Sequence, residues 1–190
     1  MTEATNPVPD GYTTVTPWMI SKDTAGLIEF LEQAFGAEEL ARVENPNGPG
    51  IGHAEVRIGN AVVMLFDVLS PEWPHTPAFL RLYLPDGDAA YQRAVDAGAT
   101  PLHRMTEMFW GDRVGRVRDP FGNVYWIQTR VAELEPDEIA RRMVQPEFVA
   151  AMEYMQTGEL VLGVFDVPAK ATGGDEPVPE LVVSHVTGRP

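Results

Sequence analysis

His53-Ala54-Glu55-Val56-Arg57-Ile58-Gly59-Asn60-Ala61-Val62-Val63-Met64-Leu65-Phe66-Asp67 alternates polar and apolar residues up to Ile58, then continues past Gly59-Asn60 as a second, more apolar run. Both turn residues tolerate positive φ, so the dipeptide predicts a hairpin joining strands 53–58 and 61–67. Upstream, Asp23 or Thr24 can cap a helix whose Leu27, Phe30, Leu31, Ala34 and Phe35 recur at helical spacing, with Gly36 ending it. An alternating stretch from Thr13 to Ile20 precedes that helix, and a Pro/Gly/Asn loop from Asn45 to Gly50 leads into the hairpin. The unit reads β-α-β-β-β.

The same punctuation recurs downstream. A strand is expected over Phe79 to Leu84, then a helix capped by Asp86 or Asp88 running through Tyr91, Ala94 and Val95 to Gly98. Strands return at Val114 to Arg118 and Asn123 to Thr129, with Gly122-Asn123 between them. The helix-ending glycines Gly36 and Gly98 lie 62 residues apart, and Gly59 and Gly122 lie 63 apart. Two matches in order predict a duplicated module. A β-α-β unit followed by strands also occurs in ferredoxin-like folds, and spacing alone leaves that alternative open.

After Thr129 two helices are predicted, Glu135 to Met143 and Pro146 to Met155, the second with Phe148, Met152 and Met155 on one face. They pack on the module pair or on a second chain. The expected organisation is therefore α+β: a domain over 8–134 built from two tandem βαβββ modules, a C-terminal helical extension over 135–165, and a flexible tail over 166–190. In that tail only Leu181-Val182-Val183 has core-forming character.

Composition removes several functional classes. The 28 acidic residues outnumber the 14 basic ones, and a formal charge of −14 repels nucleic acid and anionic membrane faces. No apolar run approaches the length of a membrane span. The first ten residues have neither a basic nor an apolar signal segment, so a cytoplasmic location is expected. Cysteine is absent, which excludes disulfides, thiolate metal sites and cysteine nucleophiles. Lys22 and Lys170 follow no glycine, so no phosphate-cradling Gly-Lys-Ser/Thr loop can be drawn. Ser21, Ser70 and Ser184 lack the glycines of a nucleophile elbow, and no zinc-protease His-Glu-x-x-His helix exists.

Five stretches carry a family resemblance: Thr16-Pro17-Trp18, Ala34-Phe35-Gly36-Ala37-Glu38, His53-Ala54-Glu55, Phe109-Trp110-Gly111-Asp112-Arg113 and Asp119-Pro120-Phe121-Gly122-Asn123. Together they resemble the glyoxalase, bleomycin-resistance and extradiol-dioxygenase superfamily, the vicinal oxygen chelate proteins, and within it the PhnB-like branch. The resemblance covers roughly Val8 to Leu134. It implies paired modules forming a cupped eight-stranded sheet, and a homodimer. Its metal-dependent members place a His, Gln or Glu on each module's first strand and a Glu on each last strand. Those positions fall here on Thr16, Met64, Phe79 and Trp126, none of which is a competent ligand for a divalent first-row metal. A slip of one residue would substitute Pro17, Leu80 and Ile127, so no metal and no other cofactor is expected.

Strand alternation assigns the cup's lining. Ala54, Val56 and Ile58 should pack under the helix, which leaves His53, Glu55 and Arg57 facing the cup. Leu80, Leu82 and Leu84 go to the core and leave Phe79, Arg81 and Tyr83. The resemblance puts Met64 and Trp126 in the cup, alternation then sets Trp18 beside Thr16, Phe66 beside Met64 and Gln128 beside Trp126, and Phe109-Trp110 forms a rim or a dimer contact. The aromatic residues can instead be core if something covers that face, and the arginines can be solvated or paired with acids. His75 and His103 are expected in exposed loops. Two functions compete. One is a metal-independent protein binding a planar, partly apolar small molecule, as drug-sequestering members of the superfamily do, with the arginines favouring an anionic or neutral ligand. The other is a glyoxalase-type lyase or isomerase with His53 or Glu55 as acid/base.

Overall fold

A computed structural model describes residues 6–158; the expected tail over 166–190 lies outside them. Each module has the predicted β-α-β-β-β order. The first comprises β1 (Trp18–Ser21), α1 (Thr24–Phe35), β2 (Glu38–Glu44), β3 (Ile51–Ile58) and β4 (Ala61–Asp67). The second comprises β5 (Phe79–Tyr83), α2 (Gly87–Asp96), β6 (Thr100–Glu107), β7 (Asp112–Arg118) and β8 (Val124–Arg130). The strands form two four-stranded mixed sheets, ordered β1-β4-β3-β2 and β5-β8-β7-β6. The eight strands are thus hydrogen-bonded as four and four. In each sheet the first strand runs parallel to the last, and the remaining pairs are antiparallel.

Local chemistry fixes the helix ends. Asp23 accepts from Gly26 N at 2.9 Å and Asp86 accepts from Ala89 N at 2.9 Å, so these two aspartates are the N-caps. Gly36 follows α1 at φ +66, a left-handed conformation that exacts a steric penalty from any side chain with a Cβ. Strand β1 is shorter than the alternation from Thr13 predicts. Pro17 has no N–H for a ladder, and its carbonyl accepts from Met64 N at 3.0 Å. Before it, the hydroxyls of Thr13 and Thr16 bond to nearby backbone carbonyls instead of leaving that segment to a sheet.

One apolar core joins the modules. Ala54, Val56, Val63 and Leu65 from the first sheet, Leu27, Ile28, Leu31 and Ala34 from α1, Ala90 and Ala94 from α2, and Val117, Tyr125 and Ile127 from the second sheet are all buried within it. Helix α1 packs along α2. The rings of Phe30 and Phe35 stand 5.9 and 4.9 Å from that of Tyr125, and Arg93 Nε donates to the Ala34 carbonyl at 3.2 Å. Burial of each such large side chain contributes about 1.5–3 kcal/mol. Each sheet is therefore covered on one face by α1 or α2.

Helices α3 (Pro136–Met143) and α4 (Pro146–Met155) both begin on proline; α4 starts where the sequence predicts, and α3 starts one residue later than predicted, with Glu135 as its N-cap. The extension packs on the second module of the same chain. Ala151 and Met155 of α4 are buried with Met108 and Val114, on the face of the second sheet that turns away from α2, and Trp110, Trp126, Met152 and Tyr154 pack around them. The Tyr154 hydroxyl accepts from Arg104 N at 2.8 Å, and the Thr157 carbonyl lies 2.7 Å from His103 Nε2. His103 is accordingly not an exposed loop residue: it stands on β6 and is 1% exposed. His75 does lie in a loop, but it is partly covered. No helix among the described residues is long and apolar enough to cross a membrane.

Candidate functional site

Strand register places the site residues in two corresponding rows. In the first module Trp18 pairs with Met64, and Met64 with Glu55, so the three lie side by side across β1, β4 and β3. In the second, Arg81 pairs with Trp126, Trp126 with Arg116, and Arg116 with His103. Side chains in register on neighbouring strands share a face. The residues before β1 fold over the first row: the Tyr12 hydroxyl makes a short hydrogen bond to Glu55.

Around the first row, Trp18, Phe66 and Trp73 cluster. The Trp18 and Phe66 rings are 4.6 Å apart, and Trp73 meets them at 5.8 and 5.9 Å. With Gly52, His53, Leu69 and Ser70 they line a pocket of about 290 Å³. Phe66 is its buried floor, whereas Trp18 and Trp73 are more than half exposed. His53 Nε2 lies 2.9 Å from Glu55 Oε1. The hydrogen bonds from Tyr12 and His53 hold the Glu55 carboxyl below the usual carboxylate range, and the same bond raises the Tyr12 phenol. Arg57 is bonded to Glu38 at 2.6 Å and takes no part in this pocket.

The second row forms a tighter arrangement. The guanidinium carbons of Arg81 and Arg116 lie 4.3 and 3.9 Å from the Trp126 ring centroid. Phe79, Leu80, Arg81, Arg116, Val124 and Trp126 line a pocket of about 230 Å³. Arg116 is buried, and its Nη1 donates to the Met155 carbonyl of α4 at 2.7 Å. Burial first, and then the charge of Arg81, lower its pKa from the ordinary guanidinium value. Four buried polar atoms on this face have no hydrogen-bond partner: Arg116 Nε, Trp126 Nε1, Gln128 Oε1 and His103 Nδ1. Buried polar atoms normally find a partner, so this face has donors and acceptors to offer a bound molecule.

Several expected site residues are committed elsewhere. Gln128 is 1% exposed, with its amide donating to Asp112 in a short bond and to the Tyr83 hydroxyl at 3.1 Å. Trp110 Nε1 donates to Asp112 at 2.9 Å, and the ring packs into the cluster under α4, while Phe109 stacks on it edge-on. Tyr83 is 64% exposed beyond the pocket. Arg116 is the residue that sequence reasoning missed. Strand β7 carries arginines on both faces, so alternation alone gave no reason to choose it; its pairing with Trp126 does.

The donor set at the superfamily's metal positions does not suit a divalent ion. Thr16 lies outside β1, and the residues that do meet across the strands are Trp18 with Met64 and Arg81 with Trp126. None of these supplies an imidazole or carboxylate to a divalent ion. Among the described residues no group of three or more His, Asp or Glu side chains could hold a metal.

Two sheets of β1-β4-β3-β2 type, each backed by one helix and joined in a common core, define a paired βαβββ protein, with α4 laid over part of the second sheet's outer face. The Glyoxalase/Bleomycin resistance protein/Dioxygenase superfamily model matches residues 12–127, and the chain belongs to that superfamily. The uncharacterized protein Mb0911c of Mycobacterium bovis is 37% identical over 139 residues, 68% of this chain and 91% of that one. Rv0887c of Mycobacterium tuberculosis matches at the same identity and length, over 81% of its own chain. Among solved structures, TioX from Micromonospora sp. ML1 is similar at a TM-score of 0.54 and 23% identity, covering 63% of this chain and 99% of its own. PA1353 from Pseudomonas aeruginosa is similar at 0.52 and 18%, with the same two coverages. These structural likenesses show the fold.

Proposed function

We propose that this protein is a metal-independent binder of a planar, partly apolar small molecule bearing an anionic or acceptor group, and that it acts by sequestration. The observation that carries the reading is Trp126, flanked by Arg81 and Arg116 in a pocket whose other walls are Phe79, Leu80 and Val124. Apolar walls with a few oriented donors are what a small-molecule site offers. The partnerless Arg116 Nε and Trp126 Nε1 are donors, so they suit an acceptor on the ligand. The family's inclusion of bleomycin resistance proteins supports sequestration as the role. Catalysis by Glu55 is disfavoured because a carboxylate held below its usual range is a weaker base.

Homodimerisation belongs to the same reading. Phe79 and Tyr83, on the face of the second sheet that α4 covers only in part, keep 57% and 64% of their surface exposed, and a second copy would cover that surface and wall the pocket. The test is isothermal titration of the full chain with a panel of fused-ring aromatic carboxylates, together with elemental analysis and light scattering. Binding in the presence of a chelator, lost in Trp126→Leu, is the expected result. A stoichiometric divalent ion whose removal, or the change His53→Ala, abolishes a lyase or isomerase activity would overturn it.

A further inference from the structure

The first module's pocket has the opposite chemistry to the second's. Its lining holds no lysine or arginine, and three aromatic rings form its walls. Trp18 and Trp73 meet at 84°, which makes a corner, and Phe66 closes the floor beneath both, 4% exposed. Two indoles at right angles present ring faces to one volume, and a ring face carries the negative end of the aromatic quadrupole. The second pocket's indole is already occupied by its own guanidinium groups, whereas nothing cationic stacks on Trp18 or Trp73 among the described residues.

Charge around the corner points the same way. His53 on its wall is backed by the Glu55 carboxyl, which its hydrogen bonds keep ionised, and Glu72 stands next to Trp73 in the same loop. The chain as a whole carries a formal charge of −14, which concentrates cations at its surface. We infer that the Trp18–Phe66–Trp73 corner is a binding site for a quaternary or alkylated ammonium group, held by cation–π attraction and distinct from the arginine-flanked Trp126 pocket. A space of about 290 Å³ accommodates a trimethylammonium head with a short chain. Aromatic cages recognise such groups because the cation sheds little hydration and gains ring faces in return.

The experiment compares choline with its neutral isostere 3,3-dimethylbutan-1-ol by isothermal titration on the full chain. Both fill the same space, so only the charge differs. Choline is expected to bind about tenfold more tightly, which corresponds to roughly 1.4 kcal/mol, within the range of a partly desolvated cation–π contact. Trp73→Ala should remove that preference, Trp73→Phe should retain most of it, and Trp126→Leu should leave it unchanged. Trp73 lies half exposed in a loop, and a urea midpoint for each variant confirms that folding is intact. Equal affinity for the two probes, no choline binding, or full choline affinity in Trp73→Ala would each overturn the assignment. Loss of choline binding in Trp126→Leu with an unchanged urea midpoint would overturn the claim of two separate sites.

Discussion

Arg116 and Trp126 face each other across β7 and β8, with the guanidinium carbon 3.9 Å from the indole centroid and Nη1 anchored on the Met155 carbonyl. The arginine thus ties the C-terminal helix to the proposed ligand pocket. Arg116→Met should cost about 2 kcal/mol in urea unfolding, the scale of a hydrogen bond to a charged group. The same change should weaken binding of an aromatic carboxylate at least about tenfold. Arg116→Lys should not restore the site, because an ammonium is a point charge that cannot stack on the ring while bonding a carbonyl with the same plane.

Tyr12 ties the N-terminal segment to Glu55. Tyr12→Phe removes the largest influence lowering the Glu55 carboxyl, so the carboxyl should titrate closer to its ordinary range in an NMR experiment. A carboxylate whose folded pKa is depressed adds stability above its unfolded pKa and loses it as pH falls through the folded value. The acid-side loss of stability should therefore shrink in the variant. Residues 7–16 should also become more susceptible to limited proteolysis.

His103 is buried against α4, and burial is the largest influence lowering its pKa, with the charge of Arg116 acting in the same direction. Its bond to the Thr157 carbonyl opposes the shift without reversing it. The folded state therefore binds this proton less readily than the unfolded chain. Stability should be complete above about pH 6.5 and decline as pH falls below it, levelling off once the folded imidazole also protonates. In His103→Gln that decline should flatten, measured by urea midpoints between about pH 7 and 5.

Gly111, in the centre of Phe109-Trp110-Gly111-Asp112-Arg113, adopts φ +91, and its carbonyl accepts from both Val131 and Ala132. A Cβ there would sit 2.5 Å from the Ala132 carbonyl oxygen. Gly111→Ala should cost at least about 1–3 kcal/mol from backbone strain alone. Thermal unfolding checks this, and an unchanged midpoint would contradict the geometry.

The duplicated punctuation was legible because hairpin and helix-ending turns demand particular residues wherever they occur. Gly36, Gly59, Gly98 and Gly122 all carry positive φ. The edge strands β2 and β6 left no such mark. Glu38–Glu44 is almost entirely exposed, and Thr100–Glu107 contains Pro101, so neither presents the apolar alternation by which strands are read. Alternation singled out Phe79 and Arg81, since a strand's two faces follow from its period alone, whereas Trp126 came from the family resemblance.

What the sequence determined by itself was local: the two β-α-β-β-β units, the glycines that end their helices and turn their hairpins, and the start of α4 on Pro146. Only the tertiary structure decided which groups meet across distance. It brought Arg116 beside Trp126, drew Tyr12 onto Glu55, set Trp73 against Trp18, and laid α4 over the second sheet with His103 buried beneath it. Periodicity fixes the face on which a side chain stands, whereas its partner depends on packing between segments tens of residues apart, which no local pattern encodes.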